Sequence, residues 1–305
     1  LLVPPFKPEP PPFLISEGIS ESEFRKMGAY YWENFETEVR STKARTVLIS
    51  SEIFFHLNSL PDFLRRLKGL FESVEVLAYL RNPVSHYPSG VSELMGILTP
   101  TERLLPSSWE GGNLLHTLSR LETTQELDGL HLRLFDRESL IGQNAVSDFF
   151  AVLSELTGKN LMAPGTEKPL NSALPGTYYA WLFFHSGYYE PAVGLPRRQD
   201  LRKHFLMARS VRQLINQNGP EPLSIVGTPF EFLVRRRFGV GWNRICDRYL
   251  GGQGKLDESI AENRKDLKSH LDEEHVLFKA WLRSNLDPAW TEYFDELHRK
   301  IFIDD

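Results

Sequence analysis

Arg81, Ser85 and Ser89 stand four residues apart in the segment from Val74 to Met95, VEVLAYLRNPVSHYPSGVSELM. On a helix that interval is about one turn, so the two serines share a face. A guanidinium is a fixed cation with several donors, and with two hydroxyls it forms a set suited to a phosphate. The neighbouring residues say how such a set would be positioned. Val74 to Leu80 is an apolar run with one charge, which predicts a strand buried on both faces of a parallel sheet. Asn82 suits an N-cap and Pro83 the first helical position, so the strand is expected to pass straight into a helix. Open parallel sheets take ligands beyond the carboxyl ends of their strands, and a helix start offers free N–H groups to an anion. Arg81 falls at that junction.

A second strand is expected upstream. Thr46 to Ser50 is β-branched and apolar, and Ser50, Ser51 and Glu52 lie at its carboxyl end. Pro61 then opens an amphipathic helix with Phe63, Leu64, Leu67, Leu70 and Phe71 on one side and Arg65, Arg66 and Lys68 on the other. Together with Val74 to Leu80 this predicts a strand–helix–strand unit, right-handed if the strands are parallel.

Arg81 followed eight positions later by Ser89, on the turn YLRNP, resembles the 3′-phosphate-binding element of sulfotransferases that use 3′-phosphoadenosine 5′-phosphosulfate (PAPS). TVLISSE resembles the preceding strand of bacterial carbohydrate-type members, and the likeness extends through LRLFDRESLIGQNAVSDFF and NSALPGTYYAWL, over roughly residues 30 to 190. The resemblance implies an α/β fold, a three-layer sandwich with a mostly parallel sheet of the sulfotransferase or P-loop-like kind. It implies transfer of a sulfuryl group from PAPS to a hydroxyl-bearing acceptor, a carbohydrate, leaving 3′-phosphoadenosine 5′-phosphate. Arg81 and Ser89 match the residues that hold the donor's 3′-phosphate. Ser85 joins them because it shares the helix face of Ser89. Glu52 falls where family members place an acid–base group, which makes it the candidate general base.

Sulfotransferases also open with a strand and a glycine- and threonine-rich loop whose N–H groups cradle the 5′-phosphosulfate. No such loop precedes residue 46. The segment LSIVGTPFEFL, 223 to 233, comes in the wrong order, lacks a basic residue and carries Pro229, so it is expected to start a helix. The expectation adopted is that the first strand and loop precede Leu1. Losing that strand would leave its neighbours' apolar faces uncovered, at a cost of about 25 cal/mol per Å². The alternative is a sulfotransferase-like binding or assembly protein without donor chemistry. Pro88, just before Ser89, is expected to kink the helix.

Composition limits the other classes. With 305 residues, 41% of them hydrophobic, the chain can bury a sizeable core. A net charge of −5 argues against a general nucleic-acid binder. One cysteine, Cys246, excludes an internal disulfide and reads as a small buried hydrophobe. No apolar run reaches the roughly 18 to 20 residues of a membrane span, and no secretory signal is evident, so a cytoplasmic location is expected. HExxH, CxxC and GxSxG patterns are absent, which removes the main support for metal catalysis or a serine hydrolase. The sequence leaves the oligomeric state open.

The expected organisation is a proline-rich arm over 1–15, an α/β core over 16–195 and a helical C-terminal extension over 196–305. Ser20 with Glu23 has capping-box spacing and predicts a helix over about 21 to 41. Further helices are expected near 113–123 and over 145–157, the latter capped by Gly158, with a strand over 130–135 between them. The aromatic run TYYAWLFFHSGYY, 177 to 189, is read as a buried helix rather than a sugar-binding wall. Helices are expected over 201–217, 230–250, 257–282 and 288–301. RRRFGVGW, 235 to 242, is read as part of a helix with a solvated basic face, and His56 and His86 as ordinary histidines.

Overall fold

The computed structural model describes residues 20–50, 60–96, 99, 101–108, 114–165, 174–185, 203, 206–211, 222–257 and 270–302. In chain order the elements are α1 (Glu21–Ser41), α2 (Leu60–Lys68), β1 (Glu75–Leu80), α3 (Pro83–Gly96), α4 (Leu114–Glu122), β2 (Gly129–Leu134) and α5 (Ala145–Thr157). They continue with α6 (Gly176–Phe184), α7 (Pro229–Tyr249), α8 (His270–Arg283) and α9 (Pro288–Phe302). The fold is mixed α/β and mostly helical, and among the described residues β1 and β2 form one two-stranded sheet. Asp128 N–H donates to Val74 O and Phe135 N–H to Leu80 O, the advancing register of a parallel pair.

Local chemistry explains where the elements begin and end. Ser20 Oγ accepts the Glu23 N–H at 3.3 Å and the Glu23 carboxylate accepts the Ser20 N–H at 2.8 Å, the reciprocal box that starts α1. Thr228 caps α7 through the Glu231 N–H, with Pro229 in the first turn where its missing donor costs nothing. Gly158 takes φ +64° just after α5, a left-handed conformation that residues with a Cβ rarely adopt. Pro88 lies inside α3 without ending it, and the helix runs on to Gly96.

The chain divides into two compact units. The first comprises Leu1–Tyr79, Asn113–Arg133 and Val152–Leu161. In it Trp32 of α1 packs edge-on against Phe63 of α2, with the Arg66 guanidinium over its ring, and Leu64, Leu67, Leu118 and Leu121 are buried. The second comprises Leu80–Gly112, Leu134–Ala151 and Met162–Asp305. Its core is aromatic. Every residue of α6 from Gly176 to Phe183 is buried, Phe230 stacks on Trp281 at 5.0 Å, and Tyr87, Phe278 and Phe294 complete the cluster. Polar atoms buried in it find partners: Tyr87 Oη donates to Leu104 O, Trp281 Nε1 to Ser224 O, and Glu274 accepts the Ser107 N–H. The core reading of the aromatic run therefore holds over 177–184, while 186–189 lie outside the described residues.

Two strand expectations need correction. Residues 46–50 form no strand, and Leu48 is 58% exposed. An apolar β-branched segment becomes a strand only where a neighbour accepts its ladder, and none of the described residues pairs with it. β1 is also less buried than its composition suggests, because only Ala78 and Leu80 are fully covered. Among the described residues each of the two strands has a single neighbour, which covers it less than a wide sheet would.

Candidate functional site

β1 ends at Leu80, whose carbonyl accepts the Phe135 N–H at 2.7 Å, so the two strands finish together. The turn into α3 is tied by Asn82. Its Oδ1 accepts the Val84 N–H at 2.8 Å, and its carbonyl accepts the N–H groups of Ser85 and His86. With the cap fixed, Ser85 stands one turn above Arg81. Arg81 Nε donates to Ser85 Oγ at 3.3 Å, and the same hydroxyl donates to Asn82 O at 3.1 Å. The chain thus brings Arg81 and Ser85 together. Ser89 lies a turn further along α3, exposed and without a side-chain hydrogen bond among the described residues.

The electrostatics favour an anion. Arg81 is half-buried, and removal from water lowers its pKa. Among the described residues no carboxylate approaches it. The first turn of α3 carries no acidic residue, so the positive end of the helix dipole is not offset there. A cation that loses hydration without gaining a counter-charge is held in an unfavourable state that a bound anion relieves.

Ser50 is described and exposed, whereas Ser51, Glu52 and His56 lie outside the described residues. His86 is half-buried on α3. Phe135, which the sequence did not single out, follows β2 directly and is 42% exposed beside the strand end that leads into Arg81. Its position depends on the β1–β2 register, which no local sequence signal encodes.

The other chemical groups are engaged structurally. A cleft of about 310 Å³ is lined by Pro61, Arg65, Arg120, Thr123, Thr124, Gln125 and Glu126. Within it Arg65 bonds Asp62 and Glu126, and both threonine hydroxyls donate to Arg120 O. Cys246 is buried in α7, and burial pushes its thiol up to about 11, which leaves little thiolate at neutral pH. Asp148 is fully buried and accepts the Ile141 N–H. Among the described residues no group of histidine, cysteine and carboxylate side chains is arranged to hold a metal, and no helix is long and apolar enough to cross a membrane. Compared with known proteins, the chain matches no family model, no curated protein and no solved structure.

Proposed function

We propose that the protein is a sulfotransferase that moves a sulfuryl group from PAPS to a carbohydrate hydroxyl. The observation that carries this reading is Arg81: a half-buried guanidinium at the end of a parallel strand, aligned by Ser85 at the start of a helix and facing no carboxylate among the described residues. Such a site fits a dianionic 3′-phosphate. In this reading Arg81 neutralises that phosphate, Ser85 fixes the guanidinium plane through Nε, and the exposed Ser89 hydroxyl adds a donor. The positive end of the α3 dipole, with no acidic residue in its first turn, adds to the same field.

When bound, the donor supplies the sulfuryl group. The protein's task is to hold it, orient the acceptor and remove the acceptor proton. Glu52 is assigned the last step, its carboxylate taking the hydroxyl proton. The finer architecture belongs to the same proposal, a three-layer sandwich with a mostly parallel sheet in which β1 and β2 are neighbours. So does the cytoplasmic location.

Calorimetry with 3′-phosphoadenosine 5′-phosphate tests the donor site. Saturable binding is expected, and no detectable binding would contradict the proposal. Turnover of PAPS with a carbohydrate acceptor tests Glu52, since a Glu52→Gln variant at full rate would remove it as the base.

A further inference from the structure

Ser85 is exposed on the first turn of α3. Its hydroxyl accepts from Arg81 Nε at 3.3 Å and donates to Asn82 O at 3.1 Å. Among the described residues that is the one hydrogen bond Arg81 makes, so its terminal guanidinium nitrogens have no acceptor there. α3 carries one acid, Glu93, eight residues beyond Ser85. An accessible serine hydroxyl therefore stands next to a cation that lacks a counter-charge.

Two features make this serine easier to reach than one in the middle of a helix. Its side chain is turned to solvent, while Pro83, Val84, Tyr87 and Pro88 hold the buried side of the same turn. Pro88 has no N–H for the Val84 carbonyl, so the turn that carries Ser85 lacks one of the bonds tying it to the rest of α3 and opens at lower cost.

We propose that Ser85 is a phosphorylation site, and that the phosphoryl group it takes up fills the Arg81 anion site and shuts the nucleotide out. In the transfer, Ser85 Oγ bonds the terminal phosphorus of a nucleoside triphosphate and the bond from that phosphorus to its bridging oxygen breaks. The nucleoside diphosphate leaves, and the hydroxyl proton passes to a base of the modifying kinase. The product is close to a dianion at neutral pH, with three acceptor oxygens placed beyond Oγ. They meet the Arg81 nitrogens across a gap that one hydrogen bond already spans. The positive end of the α3 dipole favours a phosphate in this turn. The hydrogen bond lost is the one to Asn82 O, which keeps the N–H groups of Ser85 and His86. Ser89 is exposed one turn further on but makes no contact with Arg81, so the modification is assigned to Ser85. Exclusion of the nucleotide rests on the donor site proposed above, whereas pairing of the phosphate with Arg81 does not.

The test installs phosphoserine at position 85 of the full chain by amber-codon suppression. Phosphorus NMR follows its second proton, which is expected to leave at about pH 5 rather than about 6. In an Arg81→Ala background most of that drop should vanish, which separates the arginine from His86 and from the helix end. By calorimetry, 3′-phosphoadenosine 5′-phosphate should bind the phosphorylated chain at least about 100-fold more weakly than the unmodified one. Ser85→Asp, which brings a single charge, should weaken binding more than Ser85→Ala does, and it keeps the comparison available if the phosphoserine chain does not fold. Peptide mapping of the protein isolated from its own cells, with phosphatases inhibited, should find phosphate on Ser85. An unshifted titration, the same titration in both backgrounds, or a Ser85 peptide found only unmodified would overturn the proposal. Undiminished nucleotide binding by the phosphorylated chain would overturn the closure of the site. An unmodified chain that binds no nucleotide removes the donor site alone, because the titration and the peptide map do not depend on it.

Discussion

At the amino end of β1, Lys68 Nζ lies 2.8 and 2.7 Å from the two carboxylate oxygens of Asp128, and Asp128 also accepts the Val74 N–H at 2.7 Å. Arg65 there meets Asp62 and Glu126, and His131 meets Glu75 across the two strands at 2.9 Å. At the carboxyl end, Arg81 meets a serine hydroxyl and no described carboxylate. The amino end is more exposed and its cations are matched. The carboxyl end withdraws its cation from water without a match. Pairing at the first end fastens strand to strand, and Asp128 draws α2, β1 and β2 together. At the second end the same kind of charge is left to an external partner. The contrast separates a structural use of charge from a binding use within one strand.

The largest expected effect is on binding at the carboxyl end. Arg81→Ala should weaken 3′-phosphoadenosine 5′-phosphate by about 100-fold, in line with the roughly 2 to 5 kcal/mol lost when one partner of a buried, hydrogen-bonded charge pair is truncated. Its melting temperature should stay unchanged or rise, since an unmatched buried charge is removed. Asp128→Asn should do the opposite: a lower melting temperature from loss of the Lys68 ion pair, with nucleotide affinity intact. A variant pair in which both changes lower both quantities would erase the distinction.

Acid titration sharpens it further. Hydrogen bonds from Lys68 and from the Val74 N–H hold the Asp128 carboxyl below its ordinary 3.8. A depressed carboxylate contributes stability that is fully present above its unfolded value and is lost as pH falls through the lowered folded value. The melting temperature should therefore drop as pH falls below about 4, and Asp128→Asn should flatten that drop. Arg81 keeps its charge throughout. Nucleotide affinity should instead fall below about pH 6, where a phosphate monoester takes up its second proton.

Smaller effects come from the groups around each cation. Ser85→Ala removes the oxygen that aligns Arg81 Nε and should cost about fivefold in nucleotide affinity, near 1 kcal/mol. At the other end, a Cβ on Gly129 would stand 1.8 Å from Glu75 Oε2, so Gly129→Ala must push that carboxylate away from His131. Because the pair is partly exposed and Glu75 can swing aside, the change in stability should stay within about 1 kcal/mol. Thermal unfolding checks the second, calorimetry the first.

These two ends also differ in how far the sequence discloses them. The turn at Arg81 is local: Asn82 and Pro83 fix the helix start, and a spacing of four residues then brings Ser85 to the guanidinium. The capping box at Ser20, the start of α7 at Thr228 and the glycine after α5 are legible for the same reason, since each is decided by residues within one turn. Lys68 and Asp128 are 60 residues apart, and only the β1–β2 register brings them together. Thr46 to Ser50 has strand composition without strand structure, because composition cannot specify the neighbour that a ladder requires. Glu52 rests on the resemblance alone, and its position lies outside the described residues.

The most direct test of the central claim is a double-mutant cycle by calorimetry, pairing wild type and Arg81→Ala with 3′-phosphoadenosine 5′-phosphate and with adenosine 5′-phosphate, which lacks the 3′-phosphate. If Arg81 grips that phosphate, the wild type prefers the first nucleotide by about 100-fold and the variant binds the two nearly equally. A variant that keeps the full preference, or a wild type that shows none, would contradict the account.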